Sequence, residues 1–409
     1  MPAHEIYHSR SDSASFTFTG DELKVKESAA SAGYGIRVLE NGRLGFAYCQ
    51  RDDEVEKAVG RAKRLSRFSV RSGFSFAPRS DCAKPDIFDP QLAAMDYAEL
   101  RGYVGTVREA AQSKGGRARV MLSSGNSHVG LENSSGFSGA YDKTWFSAYT
   151  ECMDGDGFGF AYLTSNRAPT QSSLRDAGMK AAEMAKAMRG AKKPESGDCT
   201  VVLELEALDS IMDVFLQSFS ADWKRRKTTR LRQGARMFSE KFTLCDDGLA
   251  EGAEARPFDD EGTPSARRPL VDRGTVASFL SDRETAALAG ERQAGACGRE
   301  SYERQPSIGQ SNITIPGGDR KDLSGIGRHL EIHSMHGSHT ANATTGDFGL
   351  EVSVAFLVDK GRRTPVRGFM LSGNVFRMFA DIAAVEKGVR TLGGLSAPRI
   401  AFDGLTTVS

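Results

Sequence analysis

Apolar and polar residues alternate from the start of the chain. Ser15-Phe16-Thr17-Phe18 runs into Gly20-Asp21 and out through Leu23-Lys24-Val25-Lys26, a period of two on both sides of a turn, which predicts a β-hairpin. A second hairpin follows. Tyr34-Gly35-Ile36-Arg37-Val38 and Leu44-Gly45-Phe46-Ala47-Tyr48 flank Asn41-Gly42, a dipeptide that tolerates the positive φ angles of a type I′ turn. The period then lengthens. Residues 52–67 place Val55, Val59, Ala62 and Leu65 on one side of a helix. Residues 76–90 read as a linker, after which Asp89 can cap and Pro90 can start a helix with Leu92, Met95, Leu100, Val104 and Val107 as its buried stripe. Residues 119–163 are strand-like with Gly-Ser-Asn turns, and Leu174, Ala177, Ala181, Met184 and Met188 mark a helix that ends at Gly190.

The polar run 191–197, with Pro194 and Gly197, separates that helix from a strand at 200–206 and sets the expected domain boundary. Residues 1–190 are expected to form an N-terminal α+β domain of hairpins and helices, with the linker at 76–90 as a place for subdivision. Residues 191–409 are expected to form a β-rich C-terminal domain. It opens with a helix near 207–220, continues through a basic stretch, and carries a hairpin of 352–358 and 364–370 around Asp359-Lys360-Gly361. The fold class is therefore α+β. No internal repeat interrupts it.

Composition narrows the function. Lys and Arg number 54 against 53 Asp and Glu, a formal charge of +1, so no strong overall field draws the chain to nucleic acid or an anionic membrane. Glycine at 44 of 409 exceeds the ~7 % average, which suits an ordered, turn-rich chain. The six cysteines lie at least 33 residues apart and form no CxxC pair, so free thiols in a reducing cytosol are expected. The first residues lack a basic segment followed by an apolar one, and no window reaches ~18 uncharged apolar residues, so a soluble, cytoplasmic protein is expected.

His4-Glu5-Ile6-Tyr7-His8 matches the zinc-protease pattern HExxH, which works only on a helix. On a helix the two imidazoles stand ~6 Å apart along the axis, and on a strand ~13 Å apart, too far to share an ion. The alternation that follows favours the strand. A second group, His329, His333, His336 and His339, gathers four of the seven histidines into 11 residues. Gly337, Asn342, Gly346 and Asp347 suggest a loop between strands there, in which the imidazoles could bind a metal, face a substrate or simply be solvated. Asp154-Gly155-Asp156-Gly157 has the look of a calcium loop, but Ser165 stands where the EF-hand needs glutamate, so a glycine turn is expected. Lys224-Arg225-Arg226-Lys227, with Arg230 and Arg232, is either a solvated helix face or a contact for an acidic partner.

Three stretches together resemble the TldD/PmbA family, whose paralogous subunits TldD and TldE (PmbA) form a peptidase complex. They are residues 33–47, GYGIRVLENGRLGFA; Asp259-Asp260-Glu261-Gly262-Thr263-Pro264 with Ser278-Phe279-Leu280-Ser281-Asp282-Arg283; and Thr345-Gly346-Asp347-Phe348 with Pro365-Val366-Arg367-Gly368 and Ser372-Gly373-Asn374. In the family, TldD holds a metal with a HExxxH helix and a distant cysteine, and TldE lacks both. The corresponding helix here, near 211–223, has no histidine, and no cysteine follows Asn374. The resemblance therefore implies a TldE-like, metal-free subunit with no cofactor of its own, which pairs with a zinc-bearing TldD-like partner around a closed channel. The implied substrates are unfolded peptides or a modified peptide undergoing maturation. No catalytic residue is expected on this chain. His333, His336, His339, Asn342, Thr345 and Asp347 are the substrate-channel candidates, the histidines standing where the family has glycine and small residues. Two alternatives remain: an independent homodimeric hydrolase that uses the histidine cluster, and a peptide-binding protein without catalysis.

Overall fold

Long alternating runs become unusually long strands. β1 (Ala3–Thr19), β2 (Glu22–Glu40) and β3 (Arg43–Cys49) form a meander, with Asn41 and Gly42 at φ 51° and 73° in the second turn as the type I′ geometry requires. After α1 (Val55–Ser66), α2 (Pro90–Ala93) and α3 (Tyr97–Gln112), the strands β4 (Arg117–Asn133), β5 (Ser138–Asp154) and β6 (Gly157–Ser165) complete an antiparallel sheet in the order β3-β2-β1-β4-β5-β6. α4 (Gln171–Ala187) closes this part of the chain. The structure, a computed structural model, describes residues 3–71, 73–291, 295–323 and 325–409.

Two expectations change here. Ala62 is buried and Val55 and Val59 pack beside it as expected, but Leu65 points to solvent, and Ala58 and Ser66 complete the buried side of α1. The reason is close approach: a Cβ on Gly45 of β3 would come within 1.9 Å of the Ala62 carbonyl oxygen, so the helix backbone lies directly on the strand and only small side chains fit between. The single helix expected after the linker is two. Asp89 caps α2 as expected, but Asp96 and Glu99 form a capping box that starts α3 afresh. Leu92, Leu100, Val104 and Val107 are buried as expected, with Met95 partly buried beside them.

The sheet carries helix-backed cores at its two ends. One joins Ile36 and Val38 to α1, and the other joins Phe16, Phe18, Val120 and Phe146 to α2, α3 and Leu174 of α4. Between them the strands run through small polar residues, and every residue of β2 from Glu22 to Ala32 is exposed. β3 pairs with β2 only from Tyr34 onward, so among the described residues that stretch is an open sheet edge.

The second sheet starts with β7 (Gly197–Leu203), followed by α5 (Leu205–Leu216), α6 (Ala221–Arg225), β8 (Leu244–Asp247), β9 (Arg267–Asp272) and β10 (Thr275–Val276). Next come α7 (Arg283–Ala289), β11 (Cys297–Gly298), β12 (Ser307–Ile308) and β13 (Ile313–Thr314). β14 (His329–His336), β15 (Asp347–Asp359), β16 (Arg362–Val366), β17 (Phe369–Asn374), α8 (Val375–Ala380), β18 (Ile382–Leu392) and β19 (Leu395–Val408) finish the chain. The pairings β7-β14-β15-β17-β19 close on themselves, because β19 also pairs with β7. α5 packs on this ring through Leu208, Ile211, Met212 and Phe215. Phe215 sits among Phe219, Phe238, Phe242 and Phe379 at centroid distances of 4.5–6.0 Å. The fold is α+β, as the sequence predicts.

Two further corrections concern this half. The helix expected near 207–220 begins at Leu205 and ends at Leu216; Ser220 is extended and bridges to Leu280, so Trp223 belongs to the separate α6. His329 to His336 form a strand, not a loop. Leu330, Ile332 and Met335 supply its buried side, with a bulge between Ile332 and Met335, and the turn begins only at Gly337, φ 95°. The Asp154–Gly157 stretch is the β5–β6 turn, with Gly155 at φ 61°. Among the described residues no helix is long and apolar enough to cross a membrane.

Candidate functional site

The two sheets are held together by charge buried among aromatic rings. The Arg37 guanidinium, from β2, donates to both oxygens of Glu5 at 2.8 Å and to Glu261 at 2.5 Å, while Arg299 donates to Glu5 at 2.6 Å and lies 4.5 Å over the Tyr7 ring. All four charged side chains are at most 2 % exposed. Burial would raise the Glu5 carboxyl, but Arg37 and Arg299 outweigh it and hold Glu5 below the usual carboxylate range. Asp259 is the odd member. Its Oδ1 accepts the Glu261 and Thr263 amides, its Oδ2 has no partner, and burial with the Glu261 charge beside it pushes its pKa up to about 7.

A second contact line runs along the start of α5. Phe160 and Met188 pack against Val354 and Phe356 across the junction. Around them, Lys180 reaches Glu206 at 3.2 Å, Arg390 reaches Glu204 at 2.7 Å, and Arg399 bridges Glu386 at 2.6 Å, Glu204 at 3.3 Å and Glu331 at 3.8 Å. Beside this lattice opens a cavity of about 890 Å³, whose floor includes Trp145, Ser147 and Thr164 and whose far wall is residues 249–255. Lys143 donates across it to the Ala253 carbonyl, and burial depresses its ammonium pKa. Its volume is that of a ligand cleft.

The exposed face of α5 carries Asp209, Asp213 and Gln217, one helical turn apart, with Glu206 at the same end. Although its side chain meets solvent, partial desolvation by the packed surroundings, then Asp213 and Glu206, push Asp209 up to about 6. Burial also raises Asp213, against a hydrogen bond from Ser338. Trp223, Gln217, Asp213 and residues 308–310 line a smaller cavity of about 290 Å³ next to it.

The residues singled out from sequence have separate surroundings. His333 lies edge-on to Phe356 at 5.5 Å with Arg363 3.4 Å from its Nε2, and burial, against Glu204, lowers its pKa. His336 is exposed and shares its Nε2 with Ser353 at 3.1 Å. His339 is exposed on a short 3₁₀ turn, Ser338–Thr340, that packs against α5. His329 is buried, its Nδ1 2.7 Å from the Gly327 carbonyl. Asn342, Thr345 and Asp347 hold a loop: Asn342 Oδ1 accepts the Thr344 and Thr345 amides, and Asp347 accepts from Asn374 at 2.7 Å. Among the described residues no three His, Cys, Asp or Glu side chains are arranged to hold a metal ion. His4 and His8 lie on β1, as the alternation predicts. In the basic run, Arg225 and Arg226 pair with Asp222, and Lys224 pairs with Glu291. Sequence reasoning missed the Glu5–Arg37–Glu261–Arg299 cluster and the acidic face of α5. Arg37 between Ile36 and Val38 was the available signal.

Two family models match the chain. Residues 196–409 match the PmbA/TldA metallopeptidase C-terminal domain, and residues 4–66 match PmbA/TldA metallopeptidase domain 1. An uncharacterized protein of Methanocaldococcus jannaschii is 28 % identical over 418 residues, which cover 98 % of this chain and 95 % of that protein. A metalloprotease of Methanothermobacter thermautotrophicus is 25 % identical over 408 residues, covering 94 % and 88 %. Among solved structures, TldE from Thermococcus kodakarensis superposes with a TM-score of 0.90 at 19 % identity, over 100 % of this chain and 97 % of that one, a likeness of fold.

Proposed function

This chain belongs to the PmbA/TldA (TldD/PmbA) metallopeptidase family, and from that premise we propose that it is the TldE-like, metal-free subunit of a two-subunit peptidase. Zinc is carried by a TldD-like partner, and the substrates are unfolded peptides or a modified peptide undergoing maturation. The observation that carries this reading is the exposed face of α5. Hydrolytic zinc takes three protein donors, commonly with imidazole among them, and keeps one position open. Here the face offers Asp209, Asp213 and Gln217, with no imidazole or thiol. These residues do not fit the ion.

What the chain contributes is shape. The cavity beside the junction is lined by an indole, hydroxyls and the charged side chains of Asp86, Lys143, Arg167, Glu251 and Glu254, which suits an extended polypeptide held through the polar groups of its main chain. In this reading the loop after β14 faces the shared channel. His336, the last residue of β14, and His339 in the loop are the substrate-facing groups, Asn342, Thr345 and Asp347 fix the loop's course, and His333 stiffens the wall behind it. The work is done in the cytoplasm, where six unpaired cysteines are at home. The test is peptide cleavage by this chain alone, by a TldD-like protein alone and by the two mixed, with size-exclusion chromatography as the assembly control. Cleavage is expected only where the partner is present, enhanced in the mixture. Robust cleavage by this chain alone would overturn the reading.

A further inference from the structure

One histidine of the HExxH-like start has a second partner across the sheet. His8 on β1 and His128 on β4 project from the same face, their ring centroids 5.7 Å apart. Position 130 of β4, directly opposite His8, is glycine. A Cβ there would stand 3.9 Å from both His128 Nε2 and the His8 Cβ, so the missing side chain leaves a gap between the two imidazoles.

Both rings are held. His128 Nδ1 is 2.9 Å from Asp142 Oδ1, directly opposite on β5, which places the ring proton on Nδ1 and leaves the Nε2 lone pair free. His8 stacks on Tyr34 of β2 at 4.7 Å, and the Tyr34 hydroxyl donates to Asp52. Carboxylate, imidazole, gap, imidazole and phenol thus form one row across four strands. Arg10, opposite His128, has its guanidinium beside Asp12 at 3.4 Å. The row is open to solvent, with the His128 side chain 41 % exposed.

We propose that His8 and His128 form a binding site for one late first-row divalent ion, such as Cu²⁺, Ni²⁺ or Zn²⁺. The ion sits over Gly130 with water in its remaining positions. With metal–nitrogen bonds of about 2.0–2.1 Å, two imidazoles on one ion have ring centres roughly 5–6 Å apart, which the present spacing meets. Asp142 is the outer carboxylate that orients a ligating histidine. Two protein donors make a modest site that equilibrates with free ion, and it would staple β1 to β4. It lies on β1 and β4, apart from α5, and is not the hydrolytic zinc that the proposed function assigns to the partner, so it stands whether or not the chain is a peptidase subunit.

The experiment is titration calorimetry of the chelator-treated full chain with each metal chloride at pH 7.5. One ion per chain is expected, with Cu²⁺ tightest. His8→Ala and His128→Ala should each weaken binding at least tenfold, and Asp142→Asn about 10–100-fold. Gly130→Val fills the gap with a good strand former; it should abolish binding while the melting temperature holds. Replacing His333, His336 and His339 together should change nothing, and binding should vanish at pH 5.5 as the rings protonate. No binding by the parent chain, binding weakened less than tenfold by His8→Ala or His128→Ala, or binding that survives Gly130→Val, would overturn the proposal.

Discussion

Asp259 shows how one carboxyl can set a stability profile. It is fully buried, one oxygen lacks a partner, and its pKa stands at about 7, against roughly 3.9 in an unfolded chain. The folded state therefore binds its proton more tightly than the unfolded state. That contribution is complete below the unfolded value and is lost as pH rises through about 7. Urea denaturation of the parent and of Asp259→Asn should diverge accordingly: the parent loses stability between pH 5 and pH 8, and the variant, which cannot ionise there, loses less. An unchanged pH dependence in the variant would mean that Asp259 does not hold the proton. Glu5 works the other way, since its depressed pKa gives stability that disappears in acid. Neither effect is visible in the sequence, where Glu5 belongs to a histidine motif and Asp259 to an acidic run. The partners of Glu5 come from positions up to 294 residues away, and Asp259, whose partners are local, owes its shift first to burial that only the fold creates.

Among the elements, turns were legible and contact faces less so. Asn41-Gly42 and Asp359-Lys360-Gly361 define their hairpins because positive φ is a local demand, met here at all four residues Asn41, Gly42, Lys360 and Gly361. On α1 hydrophobicity favours Leu65, which the structure leaves in solvent, because the closest packing is decided by a glycine on another strand. Gly45→Val tests this directly. Its side chain must displace the α1 backbone, so a loss of about 1–3 kcal/mol or more in chemical denaturation is expected, with Gly60→Ala, on the same helix, as a mild control. Equal stability of the two variants would show that α1 does not sit on β3. The sequence of β14 suggests a loop because Gly337, Asn342, Gly346 and Asp347 follow just beyond its end, and the bulge between Ile332 and Met335 breaks the regular pairing of the strand. Of the candidate site, the absence of histidine on α5 was readable in the sequence, but its acidic face and the cavity depend on how two sheets meet.

For the whole molecule, the chain's two tryptophans provide separate reporters. Trp145 lies on the floor of the larger cavity and Trp223 in the smaller one beside α5. If extended peptides occupy the larger cavity, adding an unfolded peptide should shift the emission of Trp223→Phe, in which only Trp145 remains. The Trp145→Phe variant should stay silent. The reverse pattern would move the peptide to α5, and silence in both would remove it from either cavity.

The bare edge of β2 has a consequence on the clock of hydrogen exchange. From Glu22 to Ala32 this strand is laddered to β1 on one side and meets water on the other, while Glu22, Lys24, Lys26 and Glu27 deter a chance neighbour from adding on. Along an antiparallel edge, successive amides point alternately inward and outward. From Val25 onward, past the bulge at Lys24, every second amide should therefore give up its proton to deuterium quickly while its neighbours persist, a comb with two-residue teeth in residue-resolved NMR. Uniformly slow exchange along this segment in the isolated chain would mean that the outer side is already occupied. In an assembled complex, the same slowing would identify this rim as the place where another strand had docked.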